Sequence, residues 1–554
     1  MTAMVAAGAL TCAQTAPAAG QGVTSPAAHP PGAIQIVVMP PETTIGDLAS
    51  VPGASLGVMS TGIGSVPPLQ TYLDVSQGNR IDDALYDQPL PRLRRAFLRV
   101  PRWSQVVRRA DAAPADIVPG LLGSTLLDAG IRPEPVPAAG VAAIMVADRS
   151  GEIGRVVGGP VGVGVFSAGA GTVRKQARAV PAGGLMIAFA EPSPGRKVVP
   201  IGIVGTGFQR RSLTSDSTRT DGYVLSTDIA PTILRRLGLP IPDEMDGEPI
   251  RSDGAADPAA VSDLVDRMTA IPDRREPILV ACILAWLLVG FAINRVVFGL
   301  RRAAMAWLGL CSAYMPLMLL VGAWLEPGAV AEGLLVGLGA AVLAALTVRF
   351  ARGWRGLAIA CAITVIAYAV DVIAGSGLTR LSLLGPNPIF GARFYGIGNE
   401  LEALFAVMVP VGVAAGLSAY SGWGRGVSRR AAIAAFLVAG AAGAIVFGAG
   451  RFGADVGAAI VLPLGAVVAA ITVPSDFVRL TPIYGATRSK SSWRRVAVAV
   501  VIAPLIALVL VALIDMVSGG NSHLTRSIID AGGATSLSEV VERRLRLSAH
   551  DFAQ

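Results

Sequence analysis

The sequence predicts two parts of different fold class: an α/β layered, mostly parallel sheet domain over residues 25–260, and an all-α polytopic transmembrane bundle over residues 277–518. Three observations predict this. Hydrophobic residues make up 53% of the chain, too many for an average soluble protein, and the excess lies after residue 276. Basic residues recur in every second loop of that apolar half. Before residue 260 the apolar runs are short and alternate with helical stretches.

A helix needs roughly 20 apolar residues to cross a bilayer core of about 30 Å. Pro277 to Asn294 comes close to that without a charge, and further spans are expected near 303–324, 328–348, 357–375, 400–420, 430–448, 454–474 and 496–517, about eight in all. Amphipathic periodicity is nearly absent from them, which argues against burial in a soluble core. Arg295, Arg301, Arg302, then Arg349, Arg352, Arg355, then Arg425, Arg429, Arg430, then Arg479, Arg488, Lys490, Arg494 and Arg495 fill alternate loops, whereas the intervening loops offer only Arg380, Arg393 and Arg451. Basic loops stay on the cytoplasmic side, so the N-terminal domain and the tail at 519–554 are expected outside a bacterial plasma membrane. The lipid bilayer thereby accounts for the formal charge of +8, and no nucleic acid partner is implied.

The opening residues 1–24 have the small, apolar look of the later part of a signal peptide but lack its basic start, and a disordered Ala-rich leader is the alternative. Cys12 is a lipoprotein-type candidate. Cys282, Cys311 and Cys361 fall inside expected spans, so no disulfide framework is expected in the exported domain. Ala33–Met39, Ala142–Ala147, Leu185–Ala190 and Val199–Val204 read as parallel strands covered on both faces. Leu121–Ala129 and Ser226–Leu237 read as helices, the second capped by Thr227 or Asp228 and stopped by Gly238. Residues 261–276 read as a linker.

The segment Gly222 to Ile250, GYVLSTDIAPTILRRLGLPIPDEMDGEPI, resembles the closing segment of the alkaline phosphatase superfamily. AIQIVVMPPETT at 33–44 is similar to the first strand and its loop, PGLLGSTLLDAGI at 119–131 to a mid-domain helix, and GIVGTGFQRRSLTSDSTRTDGYV at 202–224 to the approach to the closing helix. The resemblance implies an alkaline-phosphatase-like fold and metal-assisted phosphoryl or sulfuryl transfer, with a Ser or Thr nucleophile beside two divalent ions held by Asp and His. Those ligands are missing. The first strand runs into Pro40 and Pro41 where a metal-binding Asp is typical, and the three histidines are His29, His523 and His550. The resemblance therefore implies a degenerate domain, a pseudoenzyme with no metal site and no cofactor. Thr43 or Thr44 stands where a nucleophile would follow the first strand. Glu42, Asp47, Asp148, Glu191, Asp216 and Asp228 are the other polar candidates, with ordinary turn and cap roles as the alternative. Domains of this type occur fused to bacterial membrane bundles, and Arg80, Arg210, Arg211 and Arg219 would let a silent one bind an anionic glycan or lipid head group.

Leu381 to Glu402, LSLLGPNPIFGARFYGIGNELE, is too rich in Gly, Pro and polar groups for a simple connector between spans. Charge and irregular backbone at membrane depth are tolerated mainly where they are buried in protein or line a cavity. Asp371, Arg393, Tyr395, Asn399, Glu400, Glu402, Arg451 and Asp455 are therefore expected to converge on one outward-facing polar pocket, with structural ion pairs and caps as the competing reading. His523, with Asn521 and Arg526, would join it from the tail. The tail itself, ending VVERRLRLSAHDFAQ, reads as an amphipathic basic helix suited to a membrane surface, and the resembling fusions imply further spans after it. Three functions stay open: an envelope protein whose degenerate domain binds or gates a phosphate-bearing or lipid-linked substrate handled at the pocket, as transferase or transporter; an active metal-dependent hydrolase; or a noncatalytic assembly scaffold.

Overall fold

A computed structural model of the chain describes residues 34–93, 99–131, 133–135, 137–153, 162–296, 301–351, 353–421 and 426–473. The leader at 1–24, the expected span at 496–517, the tail, and His29, His523 and His550 lie outside these residues.

The N-terminal domain is built on a mixed nine-stranded sheet: β1 (Ile34–Met39), β2 (Ser55–Ser60), β3 (Pro133–Pro135), β4 (Val163–Ser167), β5 (Leu185–Ala190), β6 (Val198–Gly205), β7 (Ser212–Thr214), β8 (Tyr223–Leu225) and β9 (Arg251–Asp253). The order is β3-β4-β1-β5-β6-β2-β7-β9, with β8 also pairing with β2. β1 lies parallel between β4 and β5, where Ile36 stands opposite Val165 and Ile187. Its near-continuous apolar run suits a strand covered on both faces. β6 runs antiparallel to β5 and β2, against the expectation that 199–204 is a parallel strand. The reason is chain length: only Glu191–Lys197 joins β5 to β6, and a parallel crossover needs about a dozen residues or more.

One sheet face packs under α2 (Pro68–Gln77), α3 (Trp103–Asp111), α4 (Leu121–Asp128) and α6 (Ile229–Arg236), burying Ile36, Val38, Met59, Ile187 and Ile201. The expected strand at 142–147 is instead the end of a 3-10 segment, Pro137–Val146. Periodicity cannot separate a short buried apolar run from a strand. Here the run lies flat against α4, so that a Cβ on Gly123 would stand 2.2 Å from the Ala147 carbonyl oxygen. The opposite face is covered by α1 (Ile45–Ala49) and α5 (Ala170–Arg178), and farther along by α7 (Pro258–Val296).

Helix α7 changes the expected layout. Residues 261–276, read as a linker, are helical and continuous with the first span. Val261, Leu264, Val265 and Met268 of its first half pack against Val58, Tyr223 and Leu225 of the sheet, and its second half presents Leu284, Leu287, Leu288 and Phe291 outward. The bundle continues with α8 (Arg301–Leu325), α9 (Ala329–Phe350), α10 (Trp354–Ile373), α11 (Asn399–Ser421) and α12 (Arg429–Gly443), the last extended by a π-turn to Gly448. Among the described residues six helices are long and apolar enough to cross a membrane, fewer than the eight or so expected. The shortfall has two sources. The seventh expected span is α13 (Val456–Thr472), of 17 residues, and the eighth is not among the described residues. Small residues let the helices approach: the Trp286 indole donates to the Gly337 carbonyl at 2.9 Å, and a Cβ on Gly440 would meet that of Ala466 at 2.3 Å.

Candidate functional site

The connections α8–α9, α10–α11 and α12–α13 share one end of the bundle, and the N-terminal domain sits on that end. Their irregular segment 374–398 is folded inward by close backbone approaches. Gly391 has φ +72°, and a Cβ there would lie 2.1 Å from the Gly62 carbonyl oxygen; Gly396, at φ +78°, faces the Gly453 carbonyl in the same way. Neither position has room for a larger residue.

Residues from both parts interlock along this seam. Arg80 donates to Ser60 Oγ at 3.0 Å and to the Gly391 carbonyl at 2.7 Å, with its guanidinium 5.6 Å from the Phe394 ring centre. The Tyr223 hydroxyl donates to the Pro388 carbonyl at 2.9 Å. Arg219 lies 4.2 Å from the Tyr395 ring centre and donates to the Arg451 carbonyl at 2.7 Å, while Arg380 donates to the Arg219 carbonyl and to Thr220 Oγ1. Pro272 inside α7 has no N–H for the Met268 carbonyl four residues earlier; Asn387 Nδ2 donates to that oxygen at 3.0 Å instead.

Beneath the seam Arg393, Glu402 and Asp455 come together. Arg393 donates to Asp455 Oδ2 at 2.5 Å and to the Ile397 carbonyl at 2.6 Å. Asp455 is fully buried and caps α13 by accepting from the Ala458 amide at 3.1 Å. Glu402, on the first turn of α11, faces both groups, and its carboxylate occupies the space that Gly457 leaves without a side chain. One carboxylate thus pairs with the guanidinium, and a second stands within its electrostatic reach, at the end of the membrane helices. In the turn after α10, Thr379 Oγ1 and Arg380 Nε are buried with no hydrogen-bond partner among the described residues.

The other pocket candidates are dispersed. Asp371 accepts from the Leu378 and Thr379 amides and closes the turn after α10. Glu400 pairs at 3.0 Å with Arg275, which also donates to the Gly385 carbonyl. Asn399 is exposed at the start of α11, and Arg451 contributes a backbone carbonyl while its side chain lies beside Phe452. The arginine set divides as well. Arg80 and Arg219 belong to the seam, whereas Arg210 and Arg211 are exposed beside the start of β2, where the Arg211 amide donates to Ser55 Oγ. The sequence reading missed Arg267 and Arg274, which pair with Glu326 and Glu332 at the α8–α9 connection.

In the N-terminal domain the nucleophile candidates have structural partners. The Thr43 hydroxyl donates to the Pro40 carbonyl at 2.6 Å, and Thr44 caps α1 in a reciprocal box with Asp47. Asp228 is fully buried and accepts from Ser215 Oγ, Ser217 Oγ and the amides of Leu225 and Glu248. Burial pushes its carboxyl up from the usual range against these four hydrogen bonds. Asp148 binds its own turn, Asp216 pairs with Arg251, and Glu42 and Glu191 are exposed. Among the described residues no group of three or more His, Cys, Asp or Glu side chains could hold a metal ion. Among the described residues the donor set does not fit a two-ion site.

Comparison with known protein families, with curated proteins and with solved structures gives no match.

A second polar network, also missed in the sequence, lies inside the domain. Asp74 is buried and accepts from Gln70 Nε2 at 2.7 Å and Gln77 Nε2 at 3.1 Å. Arg109, itself buried, donates to Gln70 Oε1 and Asp83 and lies over the Tyr86 ring. Burial raises the Asp74 carboxyl to about 7, Gln70, Arg80 and Arg109 offsetting only part of the cost.

Proposed function

We propose that this chain is a multi-pass envelope membrane protein whose N-terminal domain, lying outside the membrane, recognises a phosphate-bearing or lipid-linked envelope substrate, anionic glycans included, and gates its access to the Arg393, Glu402, Asp455 cluster. The observation that carries this reading is the cluster's place: ionic groups at the end of the membrane helices, one fully buried, roofed by the Arg80 and Arg219 contacts of the domain. Ionisable groups at membrane depth mark substrate paths more often than they serve stability. The outward orientation is supported by the bundle end away from the domain, which carries Arg295, Arg302, Arg349, Arg355, Arg429 and Arg430. The resemblance at 222–250 to the alkaline phosphatase superfamily supports a phosphate-bearing substrate recognised without metal chemistry.

The test is mass spectrometry of lipids and glycans that copurify with the full chain and with its Arg393→Met and Glu402→Gln variants. Depletion of one phosphate-bearing species from both variants, at equal protein abundance, is the expected result. An unchanged profile, with growth unaffected, would favour a scaffold.

A further inference from the structure

Away from the seam, the start of α3 opens into a surface depression of about 720 Å³ lined by Arg99, Arg102, Arg108 and Arg149, with Trp103 and Ser104 also in its wall. All four arginines are exposed. Among the described residues the one carboxylate within 4 Å of any of them is Glu244, 3.9 Å from Arg149, a long contact between exposed groups and worth little. Glu152 stands opposite Arg99 across an isolated bridge but makes no ion pair with it. Four exposed guanidinium groups thus line one depression with a single long carboxylate contact among them.

The wall is firmly built. The Trp103 indole donates to the Arg149 carbonyl at 3.0 Å, and its ring fills the space beside Gly151, where a Cβ would stand 2.4 Å away. The Arg149 amide donates to Ser124 Oγ at 2.9 Å. Arg102 holds φ +62° at the start of α3, where no side chain caps the helix, so the Ser104 hydroxyl and the first-turn amides border the same space as the arginines. Guanidinium groups are planar donors whose geometry matches phosphate oxygens in pairs.

We infer that the depression bounded by Arg99, Arg102, Arg108 and Arg149 is a binding site for a phosphoryl anion, supplied by a phosphorylated glycan or by a phospholipid head group. It shares no residue with the membrane cluster, so it stands or falls separately from the function proposed above.

The test uses the full chain in phosphatidylcholine nanodiscs, titrated calorimetrically with sodium tripolyphosphate at physiological ionic strength. The variant carries Arg99→Gln, Arg102→Gly and Arg108→Gln; glycine suits the positive φ, and the buried side chains of Trp103, Val106 and Arg109 are kept. Affinity is expected to fall about tenfold for each guanidinium–phosphate pair removed, with the melting temperature unchanged. The control Arg210→Gly/Arg211→Ala, just before β7, with glycine at the positive φ of Arg210, is expected to bind like the parent. Repeating the titration with phosphatidylglycerol in the nanodiscs separates the sources: weakened tripolyphosphate binding identifies a head group, and unchanged binding a soluble phosphorylated ligand. Equal affinity of parent and triple variant, or no binding by the parent, would overturn the inference.

Discussion

Replacing Arg393 by Met tests whether Arg393 and Asp455 form one electrostatic unit. The side chain of Asp455 is 1% exposed and that of Arg393 37%, so the substitution leaves a desolvated carboxylate facing Glu402 without a counter-ion. Breaking a buried pair by removing one partner costs about 3–5 kcal/mol, and the part-exposed guanidinium places this case near about 3 kcal/mol. Arg393→Met/Asp455→Asn removes the stranded charge while an amide oxygen still accepts from Ala458. It is expected to recover about 2 kcal/mol of the loss, with Asp455→Asn alone and the parent completing the cycle. Equilibrium unfolding of the four proteins in one detergent reads the coupling. Strict additivity of the two single changes would refute the idea that these groups act together.

Two further outcomes follow from the geometry. Asp74 has its folded-state carboxyl raised to about 7, above the unfolded value near ~3.9, so the native state binds the extra proton between those values and stability falls as pH rises through that window. Asp74→Asn removes this term: its melting temperature relative to the parent is expected to rise from pH 4 to pH 8, by the equivalent of about 4 kcal/mol at most, and parallel curves would reject it. Gly391→Ala forces a side chain toward the Gly62 carbonyl at positive φ, costing about 1–2 kcal/mol from the left-handed backbone alone. Hydrogen exchange is expected to quicken at 60–64 and 388–396 while the rest of the sheet stays protected; unchanged exchange would mean the seam does not depend on this close approach.

The elements legible in the sequence were those whose signal is local. The apolar runs of β1, β5 and β6, the helix α4, and α6 with its Gly238 stop stand where their residues place them, although Ser226–Asp228 is a 3-10 turn and the Asp228 carboxylate accepts from the Leu225 amide rather than capping α6. The first half of α7 was hidden by charge. Asp263, Asp266, Arg267, Asp273, Arg274, Arg275 and Glu276 read as a polar linker, yet Val261, Leu264, Val265, Met268 and Ile271 repeat at helical spacing and carried the available signal. The long-range pairings left no local trace. Glu402 and Asp455 were legible only as two of eight candidates for one pocket, and nothing near Asp74 announces Arg109, because each pair is brought together by tertiary packing. The polar end of the bundle was visible as composition in 381–402, but which charges meet there was not.

Helix α7 has a mechanical consequence. Its 39 residues, at ~1.5 Å each, make a mast about 58 Å long that stands in the membrane and carries the sheet on its upper part. Rotating the mast by one residue's pitch would turn the sheet by about 100° against the loops that hold it. The only joints are Pro272 and Pro277, and Asn387 grips the first of them like a stay. A tilt of the first span is therefore transmitted toward the seam through that joint.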